Sequence, residues 1–330
     1  MSAQERILHG FQDTTALVIG DVMVDAYLWG RVDRISPEAP VPVVQVTHRS
    51  ARLGGAANVA LNMRALRAMP IVASVTGDDD HAASLATLLE QQGLPSNGLM
   101  RSARRRTTVK TRVISGHQHV VRVDEEMEAE LDAADEHAFL HHCIGLMRER
   151  KPAVIVFEDY DKGVLTNGII AGVIAEAQRL GIPVAVDPKR AHFFAYREVD
   201  LFKPNLKELR EGLKVDIHPA DRAGVQAAVR MLEAQLANKA SLITLSEHGI
   251  YAHAQEDDHW IAAHPRSIAD VSGAGDTVIA VAALCLAQGL PLHTLAAWAN
   301  LAGGLVCEHV GVVPVDPQRL LSEAQHLDLA

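Results

Sequence analysis

The chain has 330 residues, 48% of them hydrophobic and 22% charged, with a net charge of -10. That length and composition suit one domain with a small appendage and a large core. The negative charge excludes a general nucleic-acid or anionic-membrane surface, so any phosphate chemistry needs a local site. No stretch approaches the roughly 20 apolar residues of a membrane span. The first 12 residues lack the apolar centre of a signal peptide, so a cytoplasmic protein is expected. Cys143, Cys285 and Cys307 are scattered and without C-x-x-C spacing, and read as reduced core residues.

In chain order, residues 16–19 read as a buried strand ending at Gly20, and 56–69 as a helix stopped by Pro70. A strand over 71–75 and a helix over 82–92 ended by Gly93 come next. Further on lie strand 153–157, helix 167–180 with Gly181 as its cap, and strand 183–186. A helix over 222–236 precedes strand 242–245, and helices over 276–287 and 292–308 close the series. This alternation predicts an α/β fold with a mainly parallel sheet covered by helices on both faces. Two stretches break the rhythm. Residues 41–47 and 107–123 read as exposed antiparallel strands, the second folding back at Ser115-Gly116-His117. They can pair into a small separate sheet that covers a substrate, a second subunit, or both.

The strongest chemical signal is Asp270-Val271-Ser272-Gly273-Ala274-Gly275-Asp276-Thr277, running directly into an apolar helix. Glycines before a helix let its first N–H groups converge on an anion, helped by the helix dipole. A carboxylate there can take the proton of a substrate hydroxyl. Taken alone, the segment also reads as an N-cap and a turn. Arg52-Leu53-Gly54-Gly55-Ala56-Ala57-Asn58 allows close backbone approach to a ligand, with Asn58 one turn into the helix; a plain turn is the alternative. Asp21 and Asp25 follow the first strand, where ligands of open parallel sheets bind, and could grip vicinal hydroxyls or cap a loop.

Together, Gly54-Gly55-Ala56-Ala57-Asn58 and the later Asp270–Asp276 segment resemble the paired signatures of the PfkB/ribokinase carbohydrate kinases. Asp187-Pro188-Lys189, the run from Lys203 to Glu208, and the run from Thr244 to Gly249 add to the resemblance in the same order. It covers nearly the whole chain and implies a single ribokinase-like domain over 1–330, with lid strands at about 31–50 and 104–124. Gly20-Asp21-Val22-Met23, the run from Arg34 to Val44, and the segment 54–60 narrow it to the heptose 7-phosphate kinases of that family, in nucleotide-activated heptose and lipopolysaccharide core biosynthesis. The nucleotidyltransferase signature that follows in some members is missing from this sequence, which implies the stand-alone kinase form.

The resemblance implies ATP-dependent phosphorylation of D-glycero-β-D-manno-heptose 7-phosphate at O1. Asp276 would act as base, with Gly273, Ala274 and Gly275 as the anion hole. Asp21, Asp25, Gly54, Gly55 and Asn58 would hold the sugar. Lys189, Ser246, Glu247 and Gly249 would face the nucleotide, and Asn205 and Glu208 would order Mg2+ through water. The family also admits K+ near Asp270. The 7-phosphate needs local cations, and the candidates are Arg34, Arg52, Arg105, Lys110, Arg112, Arg122 and Lys162, with Arg104 and Arg106 beside them. A lid of this kind pairs between subunits, so a homodimer is expected. A kinase for fructose 1-phosphate or tagatose 6-phosphate, and a non-catalytic sugar-binding regulator, are the alternatives.

Overall fold

The computed structural model describes residues 1–116 and 118–329; His117, the last residue of the predicted turn, lies outside the described residues. The chain opens with α1 (Ala3–Phe11), β1 (Thr15–Gly20), β2 (Val22–Ile35), β3 (Pro42–Gly55) and α2 (Ala56–Ala65). Then come β4 (Met69–Gly77), α3 (Asp80–Gln91), β5 (Leu99–Ser102), β6 (Thr108–Ser115), β7 (Gln118–Glu125) and α4 (Ala133–Arg150). The middle holds β8 (Val154–Glu158), α5 (Asn167–Leu180), β9 (Val184–Asp187), β10 (Leu201–Phe202), α6 (Leu206–Leu213) and α7 (Arg222–Leu236). The last part holds β11 (Ala240–Thr244), β12 (Ile250–Ala254), β13 (Asp257–Ile261), α8 (Ala274–Ala287), α9 (Leu292–Val306) and α10 (Pro317–His326).

Among the described residues, nine strands form one sheet in the order β13-β12-β11-β10-β9-β8-β1-β4-β5. Every pairing from β5 to β11 is parallel, and β12 and β13 add an antiparallel edge. Alternate residues of one strand serve different cores. Ala16 and Val18 pack with α1, α2, α8 and α9, whereas Leu17 and Ile19 pack with α4, α5 and α7. This gives the expected three layers, and it explains why 16–19 of β1 and 154–157 of β8 are apolar on both faces. All three cysteines are buried free thiols. Among the described residues, no helix is long and apolar enough to cross a membrane.

The smaller sheet has the order β3-β2-β6-β7, with β2 antiparallel to β3 and parallel to β6. It is larger than the sequence reading. Only Asp21 separates β1 from β2, so the stretch after the first strand, read as a ligand-gripping segment, is the start of a 14-residue strand. Likewise β3 runs on to Gly55, eight residues past the predicted 41–47 strand. Helix α2 ends at Ala65, before the predicted stop, because the chain reverses at Arg67 with φ 67°. Met69 and Pro70 therefore begin β4. Helix α5 has the predicted bounds, set by Thr166, whose hydroxyl accepts the Ile169 N–H, and by left-handed Gly181.

Candidate active site

Helix α8 starts at the carboxyl-terminal side of the sheet, and Gly273 is its N-cap. Gly273 sits at φ 79°, and a Cβ there would lie 2.9 Å from Asn58 Nδ2, so glycine is required twice over. The Ala274 N–H turns back to Val271 O and the Thr277 N–H to Gly273 O. The N–H groups of Gly275 and Asp276 between them have no acceptor among the described residues. A Cβ at Gly275 would have Asp187 and Lys203 as its nearest neighbours, at 3.7 and 3.8 Å. Two free donors at the positive end of a helix make an anion site.

Asp276 is the third residue of α8, yet it does not cap it. Its Oδ2 accepts from Asn58 Nδ2 at 2.7 Å and its Oδ1 from the Tyr160 hydroxyl at 2.8 Å. Burial pushes its carboxyl above the usual range, while Asn58 and Tyr160 pull it down by bonding the charged form. Asn58 is in turn fixed by Asn62, which donates to its backbone carbonyl. The motif of 54–58 and the motif of 270–277 thus meet at one carboxylate.

The other sugar-side candidates are less uniform. Asp21 is 1% exposed, and its oxygens accept the backbone N–H groups of Tyr160, Lys162 and Val164. It holds the loop after β8 in place, and burial raises its pKa despite those bonds. Gly55 has φ 59°, and a Cβ there would strike Asp21 O at 2.3 Å. Gly54 leaves room for the Asp25 carboxylate, which pairs with Arg112 across β2 and β6. Arg52 donates to the carbonyls of Val310 (3.2 Å) and Val312 (2.8 Å) and lies over the Tyr27 ring. It ties the smaller sheet to the 310–312 loop. Arg105 donates to the carbonyls of Ala129 and Lys162. Arg122 is exposed and paired with Asp124 at 2.9 Å, on the outer strand. Lys110 and Lys162 converge on Glu126, at 3.4 and 2.9 Å.

On the nucleotide side, Lys189 Nζ meets Glu208 Oε1 at 2.5 Å and lies 5.2 Å over the Tyr160 ring. Burial alone would lower its pKa, but Asp187 and Glu208 outweigh it and hold the ammonium charged. Asn205 and Glu208 form a reciprocal capping box at the start of α6. Ser246 and Glu247 lie in a single 3-10 turn, Ser246–His248, after β11, and Gly249 caps it, with Ser246 at φ 53° and Gly249 at φ 88°. Asp270 accepts from Ser272 and from the Gly311 N–H at 2.8 Å, and so also holds the 310–312 loop.

Three groups that the sequence reading gave no role stand in the centre. Tyr160 positions Asp276. Lys203 is buried and pairs with Asp187 at 2.7 Å. Glu158 ends β8, is 1% exposed, and neither carboxyl oxygen has a hydrogen-bond partner. Burial first, then the Asp187 and Asp276 carboxylates, push its pKa well up and favour the protonated form. Their shared signal is their place at or near the carboxyl ends of parallel strands.

The donor set bears on Mg2+. Among the described residues, no three carboxylate, His or Cys groups form a metal cage. Both Glu208 oxygens are already engaged, by Lys189 and the Asn205 N–H. Yet the carboxyl groups of Asp187, Glu158, Glu208 and Asp276 gather around the two ammonium groups of Lys189 and Lys203. That excess of carboxyl groups suits a hard cation carried by nucleotide phosphates and water, with Glu208 and Asp187 behind the water.

Residues 13–319 match the family model described as pfkB family carbohydrate kinase. The chain is 42% identical over 313 residues to "Bifunctional protein HldE" of Citrifermentans bemidjiense, covering 94% of this chain and 63% of that protein. It is 40% identical over 316 residues to the protein of the same name from Methylobacillus flagellatus, covering 96% and 64%. The chain therefore spans just under two thirds of these relatives' length. In fold it is similar to Escherichia coli phosphofructokinase-2 in complex with fructose-6-phosphate, with TM-score 0.77 and 18% identity, over 95% of this chain and 100% of that one. It is also similar to Arabidopsis thaliana ribokinase complexed with ribose and ATP, with TM-score 0.71 and 18% identity, over 94% and 99%. The chain belongs to the pfkB family of carbohydrate kinases and is, by that membership, an ATP-dependent sugar kinase.

Proposed function

We propose that the protein transfers the γ-phosphoryl of ATP to O1 of D-glycero-β-D-manno-heptose 7-phosphate, giving the 1,7-bisphosphate for nucleotide-activated heptose. The observation that carries this reading is the Asp276 carboxylate, held by Asn58 and Tyr160 beside two free helix N–H groups. Its raised pKa makes it a stronger base than an ordinary carboxylate. Asp276 takes the proton of the sugar hydroxyl as that oxygen attacks. The Gly275 and Asp276 N–H groups stabilise the charge on the phosphoryl in flight. Lys189 neutralises the nucleotide phosphates, and Mg2+, held through water by Glu208 and Asp187, would offset the charge of the leaving phosphate.

The choice of a sugar phosphate is supported by two cations, one of them on the loop that carries Tyr160. Lys110 comes from the smaller sheet and Lys162 from the loop after β8, and they already hold one anionic group between them. The similarity to HldE proteins and the heptose-type motifs at 20–23, 34–44 and 54–60 favour heptose 7-phosphate. The smaller sheet serves as a lid that excludes water, the competing acceptor. Val121 and Val123 on β7 are each half exposed, which suits pairing with a second copy; light scattering of a double serine variant, expected as monomer, checks this. The functional test is kcat/KM for heptose 7-phosphate, dephosphorylated heptose, fructose 1-phosphate and tagatose 6-phosphate. Heptose 7-phosphate should lead the dephosphorylated sugar by about 10²-fold, the loss of two charge-assisted contacts at about 1.5–3 kcal/mol each. Equal use of both heptoses removes the second anion site, and preference for either ketose phosphate removes the heptose assignment.

A further inference from the structure

The Lys110–Lys162 pair holds a carboxylate whose position has no structural necessity. Glu126 lies just past β7, in the stretch joining the smaller sheet to α4, where residues 126–132 form neither helix nor strand. Its Oε1 accepts from Lys162 at 2.9 Å. Its Oε2 is buried, comes within 3.4 Å of Lys110, and makes no hydrogen bond. Lys162 is only 9% exposed and Lys110 16%. The remaining anions around them are weaker holds: Asp124 is 4.0 Å from Lys110, and Glu128, which bonds Lys162 at 3.1 Å, is 72% exposed. Downstream, the connector is pinned where the Leu131 N–H meets Gly163 O at 3.0 Å and where Arg105 grips Ala129 O. Glu126 can therefore leave without breaking an element or its anchor.

We propose that Glu126 is an internal stand-in for the substrate's own phosphate. It occupies the cradle formed by Lys110 and Lys162 in the sugar-free enzyme and is displaced when a sugar phosphate enters. The inference rests on the reading above that the substrate carries a phosphate. A carboxylate and a phosphate seek the same ammonium donors, but the phosphate brings more charge and a third oxygen, so it wins the exchange. Glu126 thereby sets an affinity threshold: a weakly anionic or neutral sugar tail does not open the cradle. Its departure also frees Lys162 and Lys110 from the end of the β6–β7 hairpin while the Leu131 and Arg105 anchors stay, so that arrival of the phosphate is felt by that hairpin.

The test is steady-state kinetics of Glu126→Gln and Glu126→Asp with heptose 7-phosphate and with dephosphorylated heptose. Glu126→Gln removes the competing charge and should lower KM for the phosphorylated sugar by about fivefold, the scale of one partly exposed ion pair. Its kcat, and both constants for the dephosphorylated sugar, should hold. Glu126→Asp, which keeps the charge, should stay near the wild-type KM. A KM that rises in Glu126→Gln, or that moves equally for both sugars, makes Glu126 a structural latch and overturns the inference. That failure is distinct from failure of the substrate reading, which shows in the wild type as equal use of the two sugars.

Discussion

Tyr160→Phe tests how the base is tuned. The change removes one hydroxyl and leaves a ring that still fits under Lys189. That hydroxyl donates to Asp276 Oδ1 at 2.8 Å, one of two side-chain bonds that favour the ionised carboxylate against burial. A hydrogen bond to a charged group is worth about 1.5–3 kcal/mol. Only the ionised form of Asp276 accepts a proton, so activity is lost as pH falls through its raised pKa, and the variant should lose it at higher pH than wild type. On the acid side kcat/KM should fall by about 10- to 100-fold, while at high pH, where Asp276 is ionised in both proteins, the two should approach each other. The assay is kcat/KM measured from about pH 5 to about pH 9. An acid limb that does not move refutes the assigned role of Tyr160. A fall that is uniform in pH also refutes it, because Tyr160 would then act on the substrate and not on Asp276.

Two further substitutions probe the surroundings. Burial, with Asp21 nearby, pushes the Asp159 carboxyl up to about 7, so the folded state is favoured with the proton on and loses stability as pH rises through that value. Asp159→Asn should therefore gain over wild type as pH rises from about 5 to about 8, by about 1–3 kcal/mol in denaturant unfolding; a pH-independent difference counts against the reading. Gly273→Ala forces a side chain into left-handed backbone, at a cost of about 1–2 kcal/mol, and its Cβ displaces Asn58 from Asp276. It should lower kcat far more than that stability loss implies, and unchanged kcat would show that Asn58 need not touch the base.

The layered core was legible because its signals are local. Helices α5 and α7 carry their own caps, Thr166 with Gly181 and Asp221, and buried strands are short apolar runs. Helix α4 also carried a signal, since Phe139, Cys143, Leu146 and Met147 recur at helical spacing, but its many charged and His residues masked it. The first residues of β2 were read as a ligand segment because Asp21 and Asp25 sit just past the first strand. Only pairing with β3 and β6 reveals that Asp25 stands inside a sheet. The backbone-carbonyl contacts of Arg52 and Arg105 were not legible. Arg52 bonds carbonyls 258 and 260 positions away, and Asp276 is held by residues 218 and 116 positions away. Composition gives the cations, but the fold decides which of them meet a backbone carbonyl, a carboxylate or a ligand.

The claim on which the rest depends is that the Asp276 carboxylate takes the proton from the attacking sugar hydroxyl. It is tested most directly by kcat of Asp276→Asn, measured alongside ATP binding by calorimetry. The substitution keeps the shape and one acceptor for the Tyr160 or Asn58 bond, but removes the base. Turnover should fall by about 10²-fold or more, the scale of general-base loss, with ATP affinity held. A variant that binds ATP normally and turns over at close to the wild-type rate would contradict the account.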